Sequence, residues 1–280
     1  MTTPPNAPAA ERSRTLHTLA DGTLDVLVIG GGITGAGVAR DAAMRGLRVG
    51  LVERDDLAAG TSSRSSRLIH GGVRYLEYGH VGLVFESSRE RRILLRSAPH
   101  LVRPLAFTWP VYRGARVPRW KLEAGLVLYD ALALFRNVAN HRPLGRVGIL
   151  ECEPALRDAD LRGGAAYWDA STDDARLVLA NAVAARDAGA TIVTHAEARA
   201  LEFDGYGARV RIADLLGGAE VVVQARVVVN AAGPWSDAVR ALADAGTPAH
   251  VLGSKGVHVS VPAERLGNRG AVTLLSPTDG

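Results

Sequence analysis

The residues best placed to do chemistry stand close together in "SSRLIHGGVRYLE", from Ser65 to Glu77. A hydroxyl-rich stretch passes through a short apolar step into His70, then Gly71 and Gly72, then Arg74 beside a tyrosine. A surface turn could use one glycine for a positive φ. Two in a row between a histidine and an arginine suggest a flat group lying on the chain, with an anion beside it. A second cation stands far along the chain, in "LGSKGVHVSVP". Lysine occurs only at Lys121 and Lys255. An extended reading of this stretch puts Lys255, Val257 and Val259 on one face and His258 on the other. The plain alternatives are a strand-end surface lysine and a polar strand histidine.

Groups of this kind need elements to hold them. "LDVLVIG", Leu24 to Gly30, is a continuous apolar run of the type buried on both faces of a sheet. It leads into "GGGITGAGVARDAAMRG", where Gly30, Gly32 and Gly35 fit G-x-G-x-x-G. Val38, Ala39, Ala42, Ala43 and Met44 then give a helix a small apolar face, Gly46 ends it, and "LRVGLVER" supplies a second buried strand. Glu53 stands at the end of that strand, 18 residues after Gly35. Gly30 allows a tight turn, Gly32 lets a pyrophosphate approach the backbone, and Gly35 lets helix and strand pack closely. The helix N-terminus offers free N–H groups and a positive dipole end to phosphates. Glu53 is placed to accept from a ribose diol. A glycine-rich turn without a ligand would leave Glu53 unexplained.

NAD and FAD both satisfy this pattern. Beyond Glu53 the chain enters a loop, "DDLAAGTSSRSSRLIHGG", carrying Thr61, Ser62, Ser63, Ser65 and Ser66. Such a loop can run back along an extended cofactor, its hydroxyls and N–H groups meeting phosphate and ribityl oxygens. A solvated connector is the competing reading.

A second signal is "ARVVVNAAGPWSD", Ala225 to Asp237, a buried strand ending in a small-residue turn with Pro234 opening a helix. Before it, "STDDARLVLANAVAARDAGATIVTHAEA" reads as a helix capped by Thr172 or Asp173 and ended by Gly189, with a strand over Ala190 to Thr194. Three short alternating runs follow, around Ala200–Phe203, Ala208–Ile212 and Glu220–Val223, as in an antiparallel meander. The nucleotide domain is therefore read as discontinuous. The expected plan is a disordered tail over 1–22 and a first nucleotide-binding part over 23–78. A first substrate or cap part over 79–149 comes next, then a second nucleotide-binding part over 150–240 and the start of a second substrate part over 241–280.

Composition sets broad limits. With 280 residues, 47% hydrophobic and 22% charged, the chain reads as an ordinary soluble globular protein. The opening "MTTPPNAPAAERSRT" shows no apolar periodicity and no secretory h-region. Apolar stretches such as "AGLVLYDALALF" are shorter than a bilayer crossing and carry Asp130. Cys152 is the only cysteine, which suits a reducing cytoplasm and excludes an internal disulfide or a cysteine-built metal site; no metal is expected. A net charge of +4, almost all from arginine, favours anionic small molecules or a membrane surface as readily as nucleic acid. No nucleic-acid motif is present. "GLVFESSRERRILLRSA" and "RWKLEAGLVLYDALALF" have helical apolar spacing, with Arg89, Arg91, Arg92 and Arg96 crowding the other surfaces of the first. Both read as helices covering the substrate domain. A membrane-surface role for the second, with Arg119, Trp120 and Lys121 at its edge, is the sharper alternative.

"VIGGGITGAGVARDAAMRGLRVGLVERDDLAAGTSSRSSRLIHGGVRYLE", "DDARLVLANA" and "VVNAAGPWSD" resemble the FAD-dependent glycerol-3-phosphate dehydrogenases. These are quinone-linked flavoenzymes in the fold group of D-amino-acid oxidase and sarcosine oxidase. The resemblance runs from about Leu24 to Pro262. It implies an α/β fold, with a discontinuous Rossmann-like FAD-binding domain (parallel sheet plus β-meander) and an interleaved, incomplete α+β substrate domain. It implies non-covalent FAD over Gly30, Gly31, Gly32, Thr34, Gly35, Glu53 and Arg54. The ring would lie near Thr61, Ser62, Ser63, Arg67, Leu68, His70, Gly71 and Gly72. Ala196 would meet the adenine by backbone, and Ala232, Gly233 and Trp235 would close the pyrophosphate side. Ala232 stands where the family often has threonine. Arg74 and Lys255 would face an anionic substrate, and His70 would position the cofactor rather than take a proton.

The implied reaction is oxidation of sn-glycerol 3-phosphate at C2 to dihydroxyacetone phosphate, with electrons passed to quinone. The implied location is the cytoplasm, at the inner face of the cell membrane through peripheral association; a homodimer is also carried as an expectation. Family members continue well past "RGAVTLLSPTDG", so an N-terminal fragment is expected. The alternatives are an oxidase passing electrons to oxygen, an amino-acid or sarcosine-type oxidase, and a non-catalytic FAD-binding remnant.

Overall fold

The computed structural model describes residues 7–253 and 256–275. The chain forms two compact units and passes between them after Ser65, Thr172 and Gly256. The first unit opens with helix α1 (Ala7–Ala20), strand β1 (Thr23–Ile29), helix α2 (Ile33–Met44) and strand β2 (Val49–Val52). The second contains β3 (Leu68–Ile69), α3 (Val81–Ser97), β4 (Val102–Tyr112), α4 (Arg119–Leu132), β5 (Arg142–Leu144), α5 (Arg146–Cys152) and β6 (Leu161–Thr172). The chain returns to the first unit for α6 (Asp174–Asp187), β7 (Thr191–Val193), β8 (Ala196–Phe203), β9 (Ala208–Asp214), β10 (Glu220–Asn230) and α7 (Ser236–Ala241). It re-enters the second for α8 (Ala263–Leu266) and β11 (Ala271–Val272).

The first unit is the α/β half. Its sheet has the order β7-β2-β1-β10-β9-β8. The first four strands pair in parallel, and β10, β9 and β8 pair antiparallel. Period-two alternation in β1 sends Val28 toward the alanines Ala39, Ala42 and Ala43 of α2. Leu27 and Ile29 join Leu16 and Leu19 of α1 with Val210, Ile212 and Val223. Small residues let α2 lie close to α6, where Ala36 meets Val178 and Ala182. Asp173 caps α6 by accepting from the Arg176 N–H at 3.1 Å, and Gly189 follows its end at φ +100°.

Two expectations for this unit change. Residues 7–20 are helical, in place of the expected structureless tail. Leu16 and Leu19, just past the aperiodic opening stretch, are 4% and 0% exposed, and each contributes roughly 1.5–3 kcal/mol by its burial. Arg12 anchors the helix, donating from Nε to Asp214 Oδ1 at 2.8 Å and from Nη2 to the His195 carbonyl at 2.9 Å. The runs at Glu220–Val223 and Ala225–Asn230 are one strand rather than two. Its first part pairs with β9 and its second with β1, so a single strand joins the meander to the parallel sheet.

The second unit is an antiparallel sheet, order β11-β4-β6-β3 with β5 beside β6, covered by helices; only β11 runs parallel to its neighbour. Phe107, Trp109, Leu122, Leu126, Tyr129 and Tyr167 form its core. β4 and β6 pair from Val102↔Thr172 to Tyr112↔Leu161. That pairing moves the unit boundaries from the expected 78, 149 and 240 to 65, 172 and 256. Residues 161–172 belong here because their ladder partner is β4, and residues 66–78 because Leu68 and Ile69 pair with Ser171 and Ala170. Arg91, expected among several surface arginines, is 3% exposed. The expected strand around Lys255 is not formed over 256–261, where Val257 and Val259 are exposed; Lys255 itself lies outside the described residues. No helix among the described residues is long and apolar enough to cross a membrane.

Candidate cofactor site

A cavity of about 640 Å³ opens at the C-terminal end of the parallel strands of the first unit, within the usual size of ligand pockets. Its floor is the first glycine turn. The Gly30 N–H donates to the Val52 carbonyl at 2.9 Å as β1 ends. Gly30 then turns at φ +112°, and a Cβ there would stand 2.5 Å from the Ala231 carbonyl oxygen. At Gly35 a Cβ would run into the Gly30 carbonyl, so helix and turn can approach only at glycine. Gly32 differs: it caps α2 at φ −77°, and a Cβ would meet only Ser62 Oγ, at 3.2 Å. What its missing side chain clears is the space in front of the helix N-terminus. Ser62 Oγ accepts from the Ile33 N–H at 2.9 Å, satisfying one of that terminus's free donors.

Glu53 lies on one wall at the end of β2. Its Oε2 accepts from the Gly31 N–H at 2.6 Å and its Oε1 from the Asp55 N–H at 2.8 Å. These two bonds fix the carboxylate while leaving about two of its four acceptor positions for a diol. On the other wall Asn230 shapes the "NAAGPW" turn, accepting from the Ala232 N–H at 3.2 Å and donating from Nδ2 to the Ser236 carbonyl at 2.8 Å. The Trp235 ring carries the Arg54 guanidinium over its face, 5.4 Å from the centroid. It also crowds Gly60, where a Cβ would lie 2.9 Å from the indole.

Most of the expected cofactor residues meet here. Gly30, Gly32, Thr34, Glu53, Arg54, Thr61, Ser62, Ala196, Ala232, Gly233 and Trp235 all line the cavity. Gly31 lies beneath the Glu53 carboxylate, Gly35 inside the turn, and Ser63 off the wall, with its hydroxyl 3.4 Å from the Gly60 carbonyl. The Ala196 N–H donates to the Glu53 carbonyl at 2.8 Å, tying the start of β8 to the end of β2 at the cavity wall. Sequence patterns gave no signal for Asn230 or for the wall segment Val251–Gly253. Asp237 holds the latter, accepting from the Val251 and His250 N–H groups at 2.8 and 2.9 Å. The Val251 bond above all lowers its pKa from the ordinary value, against a partial desolvation.

The remaining expected residues belong to the second unit. Arg67 adopts φ +56°, and its carbonyl accepts from the Thr172 N–H at 3.0 Å, setting the start of β3. His70 and Arg74 are exposed while Gly71 and Gly72 are buried. The Gly71 N–H donates to Asp169 Oδ1 at 3.0 Å. Gly72, at φ +76°, opens a 3₁₀ turn over Val73–Tyr78, and a Cβ there would lie 2.5 Å from the Tyr75 ring. The paired glycines thus have reasons within the protein itself, apart from any flat ligand. Leu68 is half-buried in β3.

The features of the first unit are those of an α/β dinucleotide fold. Glycine clears a helix N-terminus, an anchored acid ends the second strand, and a small-residue turn forms the opposite wall. A family model for FAD-dependent oxidoreductases matches residues 25–280, and the chain belongs to that family. FAD is the cofactor of the family, and the residues around the cavity fit the adenosine diphosphate half of that molecule. An alpha-glycerophosphate oxidase of Streptococcus pyogenes is 41% identical over 261 residues, covering 91% of this chain and 43% of the relative. A glycerol-3-phosphate dehydrogenase of Mycobacterium leprae is 45% identical over 250 residues, covering 86% and 42%. The glycerol-3-phosphate dehydrogenase of Bacillus halodurans, solved in complex with FAD, superposes with a TM-score of 0.64 at 34% identity, covering 83% and 38%. The chain therefore spans less than half the length of these relatives.

Proposed function

We propose that the cavity of the first unit binds the adenosine diphosphate half of FAD. We further propose that the protein oxidises sn-glycerol 3-phosphate to dihydroxyacetone phosphate. The observation that carries the reading is Gly32. Among Gly30, Gly32 and Gly35 it alone has a Cβ position that would meet no backbone, so its missing side chain serves the space in front of α2 rather than packing. The positive helix end and the fixed Glu53 carboxylate then suit a diphosphate and a ribose diol respectively. FAD held by the first glycine turn and Glu53 would supply the redox chemistry, as acceptor of the substrate's hydride, with quinone as the final electron acceptor.

The remaining tasks fall to the chain. Arg74, exposed just past the glycine pair, and Lys255 supply charge-assisted contacts to the substrate phosphate. His70 contributes a hydrogen bond that orients the ring end of the cofactor. Quinone as acceptor goes with peripheral association at the inner face of the membrane. A second reading takes oxygen as acceptor, favoured by the alpha-glycerophosphate oxidases among the relatives.

The test is direct. The purified protein should show flavin absorbance that bleaches anaerobically with glycerol 3-phosphate and not with amino acids. Reoxidation by a quinone analogue without peroxide release supports the first acceptor; stoichiometric peroxide supports the second. A colourless protein that takes up no added FAD would remove the proposal.

A further inference from the structure

The second unit contains a buried polar cluster that cofactor binding does not require. Asp169 of β6 and Arg91 of α3 are ion-paired with 2% and 3% of their side chains exposed. Tyr129 of α4 donates to Asp169 Oδ1 at 2.6 Å, and Arg91 Nη1 reaches the same phenol oxygen at 2.5 Å. Burial first, then the nearby carboxylate, raises the Tyr129 pKa well above its ordinary value, so the phenol remains a donor. Arg91 also donates to Asn137, whose Nδ2 donates to Asp130 Oδ1 at 2.6 Å. Asp130 Oδ2 in turn accepts from the His141 N–H at 2.8 Å and lies 2.7 Å from its Nδ1.

A buried ion pair is a poor source of stability, because desolvating two charges costs about as much as their attraction returns. Its distinctive effect is to fix geometry, and here it fixes one turn. Asp169 Oδ1 accepts from the Gly71 N–H at 3.0 Å. A Cβ on Gly71 would stand 2.6 Å from Ser88 Oγ and 2.8 Å from Arg91 Nη1, with Tyr129 closer still. The backbone between His70 and Gly72 therefore rests directly on the cluster. No side chain intervenes to let it slide.

We propose that Asp169 is a positioning residue that holds the His70–Arg74 turn and, through it, the substrate-facing cation Arg74. This rests on the proposed role of Arg74 at the substrate phosphate. A cation fixed before the substrate arrives loses less conformational freedom on binding, which strengthens the contact it makes. Arg91 and Tyr129 serve Asp169 by fixing its carboxylate.

Two double variants isolate the contact. Arg91→Met with Asp169→Asn, and Arg91→Met with Asp169→Leu, each remove both buried charges, so neither leaves an unpaired ion. Only the asparagine retains an acceptor for the Gly71 N–H. The FAD-loaded proteins should show equal flavin content. Amide deuterium exchange over residues 70–76 should be at least tenfold faster in the leucine pair than in the asparagine pair. The KM for glycerol 3-phosphate should be at least fivefold higher, with kcat less affected. Equal exchange in the two overturns the proposal. So does an unaltered KM, provided that Arg74→Ala in the parent raises it. Fast exchange together with an Arg74→Ala variant of normal KM supports the anchor and removes the substrate role of Arg74 instead. Should the leucine pair not fold, Tyr129→Phe frees the carboxylate more gently. Exchange about threefold faster supports the anchor, and unchanged exchange overturns it.

Discussion

Two glycine turns, one in each unit, are glycine for different reasons. At Gly30 and Gly35 a missing Cβ lets backbone meet backbone, and at Gly32 it keeps space open before a helix end. At Gly71 the missing Cβ lets backbone rest on the side chains of Ser88, Arg91 and Tyr129. The first turn is shaped by backbone, its own and that of Ala231, and leaves space before α2; the second is shaped by a polar core assembled from two helices and a strand. A glycine pair beside a histidine and an arginine is therefore no measure of ligand contact on its own. The partner that forbids the side chain has to be identified first.

That contrast breaks most sharply at Gly71. Gly71→Ala drives a methyl group into the buried cluster, whose members cannot move without separating an ion pair. Overpacking of this kind costs about 3 kcal/mol. Chemical denaturation should register that loss with or without cofactor. Gly32→Val separates the two turns in the opposite sense. Its branched side chain would occupy the space assigned to the diphosphate, and FAD affinity should fall roughly 100-fold, about 2.7 kcal/mol. The apoprotein should lose only the cap preference, about 1 kcal/mol. Parent-like FAD content in purified Gly32→Val would show that the cavity in front of α2 holds something else.

The same contrast explains how far the sequence could be read. β1, α2, β2 and Glu53 succeed one another along one short stretch of chain, and their periodicities, caps and spacing are local. The cavity residues of the first turn were accordingly legible. So was the cap at Asp173. In the second unit the helices α3 and α4 were legible from their apolar spacing, but the sheet was not, because its ladder joins β4 to β6 across two helices and a short strand and the unit boundary is set by that pairing. Arg91 looked like one more surface arginine in a basic helix, since its partner Asp169 lies 78 residues away. Asn230 was hidden because its work is to shape a turn rather than to touch a ligand. The α1 helix was missed because Arg12 finds Asp214 at a separation of 202 residues.

Arg74→Ala sharpens the comparison from the substrate side. The side chain lies outside the cofactor cavity and the turn beneath it is held through the Gly71 N–H, so its removal should leave flavin content unchanged. Loss of one charge-assisted contact of roughly 1.5 kcal/mol corresponds to a KM about tenfold higher. Steady-state kinetics over a range of glycerol 3-phosphate concentrations would read this. Parent values of both KM and kcat would take Arg74 out of the site.

The smallest effect lies at Arg12, and pH reveals it. Burial pushes the Asp214 carboxyl up, but Arg12 and the N–H groups of Leu216 and Gly217 outweigh that and hold it below the ordinary 3.8. A carboxyl that is more acidic in the folded chain stabilises the fold fully above its unfolded pKa. The contribution is lost as pH falls through the lower folded value. Arg12→Ala should therefore cost about 1 kcal/mol near neutrality, because the two backbone donors remain. The difference from the parent should shrink as the pH falls below 3.8 and the carboxyl takes up its proton. Thermal unfolding of both proteins at about pH 7, about pH 5 and about pH 3 decides it. A gap in Tm that is the same under all of these conditions would mean that Arg12 acts through the His195 carbonyl rather than through the Asp214 carboxylate.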